Sequence, residues 1–498
     1  MAYWLERGVV HPPPWPLVGN SLPLFAFVES PAHFFKRLYD QFPRQEVIGF
    51  FQLNRPMLMV RSPRLLEKVI IKDFGHFVDH GLFALNKEKN WIDQGLFNLS
   101  GTHWRAVRNK MTPAFTTGKL KMMFDQMVPS ADNLVQYVDR AHRSGHQIKD
   151  AMGIFSMEII ASCAFGLDVK NWEGQPKFRR MGSKILNVNW ARYLAMLVLM
   201  TLPELAIKFD VKFTADDVRD YFGGIIQETM DERARSGRVR NDFVQLMLQL
   251  KEKGSVEIQT KDLSQEDDYL NISDKMITES FQMDDQLLMA QAFNFLSAGF
   301  DATSTTLTYA CFELARNPRV QDKLRAQIRS VVDKHGGAFT YQAIKEMPYL
   351  EQCLDETLRI HPLVTFLVRM CTKDYTIEGG PSSGLKIDVG TGILVPVLGL
   401  HMDPQYYPEP EEFRPERFDP NITSRTPFTY LPFGDGPRMC IGMRFAILQM
   451  KLGLARLVHD FRLSLSANTR LPLEAVTANI LLLPKHKIWF DVERIAPT

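Results

Sequence analysis

The stretch from 284 to 316, DDQLLMAQAFNFLSAGFDATSTTLTYACFELAR, constrains the fold more than any other. Its apolar residues recur at helical spacing and cover nearly the whole circumference, so no face is left for water. A helix over these positions extends for about 50 Å. It has to be wrapped by other elements, which calls for a large body of mostly helical secondary structure. Asn317-Pro318 ends it, because the residue before a proline is pushed out of the helical region.

The rest of the chain supplies such a body. Residues 62–235 carry helical periodicity broken by polar turns, and a further helix is expected near 349–360, stopped by Pro362. Short β-like runs occur at 45–60, and 363–400 is rich in β-branched residues and glycine, which suggests a small sheet. The reading is mainly α with a minor β-sheet, in one large fold around the central helix. HPPPWPLVGN at 11–20 cannot be helical and reads as a stiff spacer. Residues 252–280 are charged and Ser-rich and read as an exposed connection. No segment reaches the ~20 apolar residues of a spanning helix. The greasy run LAMLVLMTL at 194–202 is a core helix or one lying on a bilayer surface. A net charge of +2 argues against nucleic acid as a partner.

The five cysteines, Cys163, Cys311, Cys353, Cys371 and Cys440, are odd in number and widely spaced, so neither a disulfide framework nor a structural zinc site is expected. The chain reads as intracellular. Cys440 stands apart, inside the turn LPFGDGPRMCIG at 431–442. Its glycines match no phosphate loop: Met439 stands where a dinucleotide fingerprint needs glycine, and Met443-Arg444 where a P-loop needs Lys-Ser/Thr. A nucleophilic cysteine served by His361 or His401 stays open, though no protease signature surrounds it. The text after Cys440 is helical, and a cysteine at a helix N-terminus favours the thiolate. Gly434, Gly436 and Gly442 let a flat group approach the backbone, and Arg438 suits a carboxylate. Together these describe a haem with its propionates.

FGDGPRMCIG matches F-x-x-G-x-R-x-C-x-G at every fixed position, and by it the chain resembles the cytochrome P-450 superfamily. The likeness runs from the proline segment to LLLPKHKIWF at 481–490, and is closest to microsomal enzymes of the insect detoxification type. It implies Cys440 as proximal iron ligand, Phe433 beside its sulfur, and Arg438, Arg369, Trp104 and Arg108 around the propionates of haem b (iron protoporphyrin IX). It implies that Glu356 and Arg359, joined by Arg417, brace the cysteine loop, with His361 and His401 structural. SAGFDATSTT matches the centre of the distal helix: Ala298 and Gly299 leave room for oxygen, and Asp301 is the acid of a proton relay. The usual threonine after that acid is Ala302 here, and the hydroxyl comes one residue late, at Thr303. Either a π-bulge near Gly299 restores Thr303 to the relay, or an ordered water or a substrate hydroxyl carries the proton that Asp301 supplies; the water is the expected answer.

The resemblance implies a monooxygenase that inserts one atom of O2 into a lipophilic small molecule, xenobiotic or terpenoid-like. Electrons come from NADPH through a reductase, with cytochrome b5 as a further partner. Its pocket draws on Phe293, Ala302, Val364, Phe366 and Leu482. The reductase is expected on Arg105, Lys110, Arg444 and Lys451. The place implied is the cytosolic face of the endoplasmic reticulum membrane, with surface contact through Leu194 to Leu205, Leu197 and Leu199 included. Residues 1–20 read as an N-terminal remnant and hinge without the family's anchor, and 21–498 as the haem-binding catalytic domain. Two rivals remain at this stage: a reductase-independent haem-thiolate isomerase or dehydratase acting on peroxides, and a haem or lipophile binder without turnover.

Overall fold

Burial decides the course of the chain from its first turn. In the computed structural model, which describes residues 2–83, 85, 87, 89–141, 148–167, 176–186, 189–237, 239–240, 242–253, 283–422 and 424–495, helix α1 (Tyr3–Glu6) buries Trp4 completely. The Trp4 indole N–H donates to the Phe50 carbonyl at 3.0 Å. The proline segment that follows is held at its far end too, where Asn20 exchanges hydrogen bonds with the Phe51 backbone at 2.8 Å. The segment is therefore pinned on both sides of the prolines, at Trp4 and at Asn20.

The receiving surface is a four-stranded sheet of β1 (Val47–Gln52), β2 (Arg55–Val60), β3 (Leu367–Met370) and β4 (Gly392–Val395), in the order β1-β2-β4-β3. β1 and β2 form an antiparallel hairpin with Val47 opposite Val60, β2 runs parallel to β4, and β3 is antiparallel to β4. Helix α2 (Pro31–Gln41), capped by Ser30, lays Phe34, Phe35, Leu38 and Tyr39 into the same core. Residues from both ends of the sequence thus share one apolar layer.

The second and larger core is helical. It is built on α3 (Gly101–Met111), α4 (Thr117–Ala141), α5 (Ile148–Phe165), α7 (Asp285–Arg316), α8 (Pro348–Ile360) and α9 (Met443–Asp460), with further helices such as Asp216–Ser236 and Pro318–Lys334, while α6 (Trp190–Thr201) packs in a small cluster of its own. α7 is the central element. Asp284 caps it by accepting the Leu287 N–H at 2.8 Å, and it is α-helical without interruption to Arg316. α5 is buried along nearly its whole length and lies against α7. The two approach closely at Gly299, where a β-carbon would stand 2.5 Å from Ile160 Cδ1. The expected connection at 252–280 lies, beyond Lys253, outside the described residues.

α6 ends at Thr201, before Leu202-Pro203. Its inner face, Tyr193, Met196 and Leu197, packs on Phe25 and Phe27, and Leu199 is buried as well. The expectation that Leu197 and Leu199 meet a membrane is therefore corrected. The exposed apolar residues here are Trp190, Leu194, Leu202, Leu205, Ile207 and Phe209. Among the described residues no helix is long and apolar enough to cross a membrane.

Candidate functional site

The cysteine turn closes on itself through its backbone. The Cys440 N–H donates to the Phe433 carbonyl at 2.9 Å, and the Met439 N–H to the Gly436 carbonyl at 2.9 Å. Gly436 has φ +67°, and a β-carbon there would sit 2.4 Å from the Ile70 carbonyl oxygen, so only glycine fits. Cys440 lies in the turn itself, two residues before Gly442, the N-cap of α9. Of the five cysteines it alone keeps exposed surface. Burial nevertheless pushes its thiol up, offset in part by the Gly442 N–H and by Arg108. A sulfur deep in protein and still open on one side faces an internal space. The other four cysteines are buried.

Beside this turn three arginines converge. Arg438 donates to the carbonyls of Val78 (2.9 Å) and Leu99 (2.8 Å), and its guanidinium lies 4.0 Å from the centre of the Trp104 ring. Arg108 donates to the Met439 carbonyl at 2.9 Å. Arg369 is buried, bonded through Nη1 to the Val368 carbonyl and to His80, and its Nε has no hydrogen-bond partner. Burial lowers Arg438 to about 9, with repulsion from Arg369 adding to it, and burial lowers Arg369 to about 10. A carboxylate, that of Asp79, stands 3.6 Å from Arg438. Positive charge held this deep against its own repulsion calls for further anions. Trp104, Arg108, Arg369 and Arg438 are thus brought together as the sequence suggested. Asp79 and His80 were not singled out; no local pattern marks them.

A second cluster supports the approach to the turn. Glu356 and Arg359, one turn apart on α8, form a fully buried bidentate pair at 2.7 and 2.9 Å. Arg417 Nε stands 3.3 Å from the same carboxylate, and the Arg414 N–H donates to it at 2.9 Å. Arg359 also donates to the carbonyls of His401, Pro410 and Glu412. His401 accepts the Leu431 N–H at Nε2 (2.8 Å), while Nδ1 meets the Arg359 carbonyl. Burial, with Arg359 adding to it, holds its pKa down to about 3. It is a neutral strut between α8 and the first residue of the cysteine turn. His361 bonds Glu313 at 2.7 Å and stacks on Tyr309.

On α7, Ala298 is exposed although most of the helix is buried, and Asp301 and Ala302 are half-buried on the same side. Thr303 is buried and lies about 100° round the helix from Ala302. With α7 regular throughout, the π-bulge that would have brought Thr303 into line is absent. The missing side chain of Gly299 serves the contact with Ile160, and the most open position on this side of the helix is Ala298. Thr305, three residues past Ala302 and on its side of the helix, has a buried hydroxyl without a partner.

The remaining expected residues fall in three places. Phe293 packs edge-on against Trp91. Val364 pairs with Leu481, and the neighbouring Leu482 N–H donates to Leu363, so 363–364 and 481–482 run side by side. Phe366 packs edge-on against Phe35 at 4.7 Å. Of the cations expected at a docking face, Arg105 is exposed, but Lys451 is buried and pairs with Glu351 of α8 at 3.1 Å, which removes it from any such surface.

A family model described as Cytochrome P450 matches residues 10–490. Cytochrome P450 6a2 of Drosophila melanogaster is 35% identical over 503 residues, covering 99% of this chain and 95% of its own length. Probable cytochrome P450 6a20 of the same fly is 36% identical over 502 residues, with the same coverage. Cytochrome P450 6l1 of Blattella germanica is 34% identical over 475 residues, covering 95% of this chain and 88% of its own length.

Proposed function

The chain belongs to the cytochrome P450 family of haem-thiolate monooxygenases, and from that premise we propose that Cys440 is the thiolate ligand and that the substrate is a lipophilic small molecule, xenobiotic or terpenoid-like. Electrons come from NADPH through a reductase, with cytochrome b5 as a second donor. The observation that carries this reading is the one cysteine of five with open surface, held inside the protein. The cation cluster fits the same group: Arg108, Arg369 and Arg438, with an unpartnered Nε on Arg369, suit two buried propionates.

When bound, the haem supplies reductive activation of O2, one atom going to substrate and the other to water. The chain's residues prepare the site for it. Cys440 binds as thiolate, its charge favoured by the Gly442 N–H and Arg108. Trp104 holds Arg438 in place from below its plane. Glu356, Arg359 and Arg417 keep the loop before the turn rigid. Asp301, half-buried on the open side of α7, is the acid of the proton relay, and with Ala302 beside it in place of a hydroxyl the relay runs through an ordered water. Phe433 flanks the turn, and Val364, Phe366, Leu482, Phe293 and Ala302 supply apolar walls. Arg105 and Lys110 on α3, with Arg444 on α9, remain as the reductase contact. The exposed residues Leu202, Leu205, Ile207 and Phe209 give the protein a lipid-facing patch suited to the cytosolic side of the endoplasmic reticulum.

The test is Cys440→His. The reduced wild-type protein with carbon monoxide is expected to show the red-shifted Soret band of thiolate ligation, and the variant to lose the band and NADPH- and reductase-dependent turnover. A variant that keeps both removes Cys440 from the iron. Turnover of a hydroperoxide without NADPH, and none with it, would return the chain to the isomerase reading.

A further inference from the structure

In four places a serine or threonine is followed by proline: Ser30, Ser62, Thr112 and Thr426. Three of them are built into the fold. Ser30 caps α2, accepting the His33 N–H at 3.3 Å, and is buried. Ser62 stands at the N-cap of the helix Pro63–Glu67 and is half-buried. Thr112 is buried and donates to the Arg108 carbonyl at 2.8 Å. Thr426 differs. It is exposed within an exposed run from Ser424 to Pro427, and no helix, strand or turn includes Ser424, Arg425 or Thr426. The proline behind it favours an extended backbone at Thr426. Among the described residues only its carbonyl is bonded, by the Thr429 hydroxyl at 2.7 Å, and its own hydroxyl is free. Arg425 lies over the rings of Phe418 (4.5 Å) and Tyr430 (5.3 Å) and has no ion pair among the described residues. Stacking occupies the face of a guanidinium and leaves its N–H edge for an anion. Arg425 and Thr426 both line a surface cavity of about 370 Å³. Asp419, the acid at its rim, is engaged locally, accepting the Asn421 N–H at 2.9 Å.

We propose that Thr426 is a phosphorylation site for a proline-directed kinase, and that its phosphate, paired with Arg425, weakens docking of the reductase. The site stands on the loop alone; its effect rests on the monooxygenase reading. In the transfer, Thr426 Oγ1 forms a bond to the γ-phosphorus of ATP and the bond from that phosphorus to the β–γ bridging oxygen breaks. ADP leaves, and the hydroxyl proton passes to a base on the kinase. The product carries a charge of about −1.5 to −2 with three acceptor oxygens. Charge-assisted bonds from the free guanidinium edge then hold it in the cavity. The position of the loop makes the added charge felt. Tyr430 immediately precedes the cysteine turn and donates to the Asp355 carboxyl of α8 at 2.9 Å. That carboxyl lies in the fields of both Arg425 and Lys451 of α9. Arg444, assigned above to the reductase contact, stands about two turns before Lys451 on the same helix. A dianion here opposes the cations that attract the reductase.

The experiment treats the haem-loaded protein with magnesium ATP and a mitogen-activated protein kinase. Mass spectrometry is expected to find phosphate on Thr426 and none on Ser30, Ser62 or Thr112, and Thr426→Ala is expected to take up none. No phosphate on Thr426, or phosphate on Ser62 in its place, overturns the site. By phosphorus NMR the phosphothreonine is expected to titrate below its ordinary value of about 6, and Arg425→Gln to bring it back. Equal titration in the two proteins overturns the pairing. The phosphorylated protein is expected to need about 2- to 10-fold more reductase for half-maximal turnover at low ionic strength, with substrate affinity unchanged. An unchanged reductase requirement in a protein that shows the thiolate band overturns the regulation. A protein with phosphate on Thr426 but without that band keeps the site and loses the reaction.

Discussion

Arg359→Lys preserves charge and removes geometry. Arg359 makes five hydrogen bonds to oxygen, two to the Glu356 carboxylate (2.7 and 2.9 Å) and one each to the carbonyls of His401 (2.9 Å), Pro410 (2.8 Å) and Glu412 (3.3 Å), besides a weak one to the Met402 sulfur (3.6 Å). A lysine ammonium offers three donors from one point and no planar fork. At least two of the five acceptors lose their partner. A buried unsatisfied acceptor costs about 1–3 kcal/mol. The Pro410 and Glu412 bonds are only part-buried, which puts the expected loss at about 2–4 kcal/mol. In a domain this large that corresponds to a fall of roughly 2–4 °C in the melting temperature. The carbonyls set free belong to the segment leading into the cysteine turn, so Soret absorbance is expected to decay on heating together with the circular dichroism. Glu356→Gln leaves a fully buried Arg359 without its counter-charge and is expected to fall at least as far. An Arg359→Lys protein that melts within 1 °C of wild type would show that charge, rather than the fork, holds the loop.

Three further outcomes are expected. His401 is held down to about 3 while the unfolded chain takes its proton below about 6.5, so stability falls as pH drops through that window by ~1.4 kcal/mol per unit. His401→Gln is expected to lose this part of the slope, about 2 kcal/mol between pH 7.5 and pH 5, when denaturant unfolding is compared at the two values; an unchanged slope refutes the assignment. Replacing Leu205, Ile207 and Phe209 by serine is expected to reduce sedimentation with phospholipid vesicles without lowering the melting temperature, whereas Leu197→Ser is expected to destabilise by about 2–5 kcal/mol because it is a core residue. Ala302→Thr is expected to raise product formed per NADPH consumed and Thr303→Ala to change it little; a collapse of coupling in Thr303→Ala would make Thr303 the relay.

What the sequence disclosed follows from how local each cause is. The central helix was expected from 284 and runs from Asp285, because its cap, its apolar pattern and the Asn317-Pro318 stop all act within a few residues. The cysteine turn was legible for a similar reason, since its glycines and Arg438 are fixed by backbone and charge needs inside ten positions. Glu356, Arg359 and Arg417 could be grouped only through the family resemblance, and the structure brings them within bonding distance of one another. The misreadings concern side chains whose partners lie far away in the chain. Lys451 faces Glu351, a hundred residues earlier, and Leu197 faces Phe25 and Phe27. Asp79 and His80 gain meaning only where Arg438 and Arg369 arrive, some three hundred residues later. Gly299 is the instructive case. Its position beside Ala298 suggested space for a ligand, yet its missing side chain is filled by Ile160 of α5. Ala298 and Ala302 lie on the open side of the helix and Thr303 is buried away from it, and it is on that open side that the proposed proton path through Asp301 and water runs.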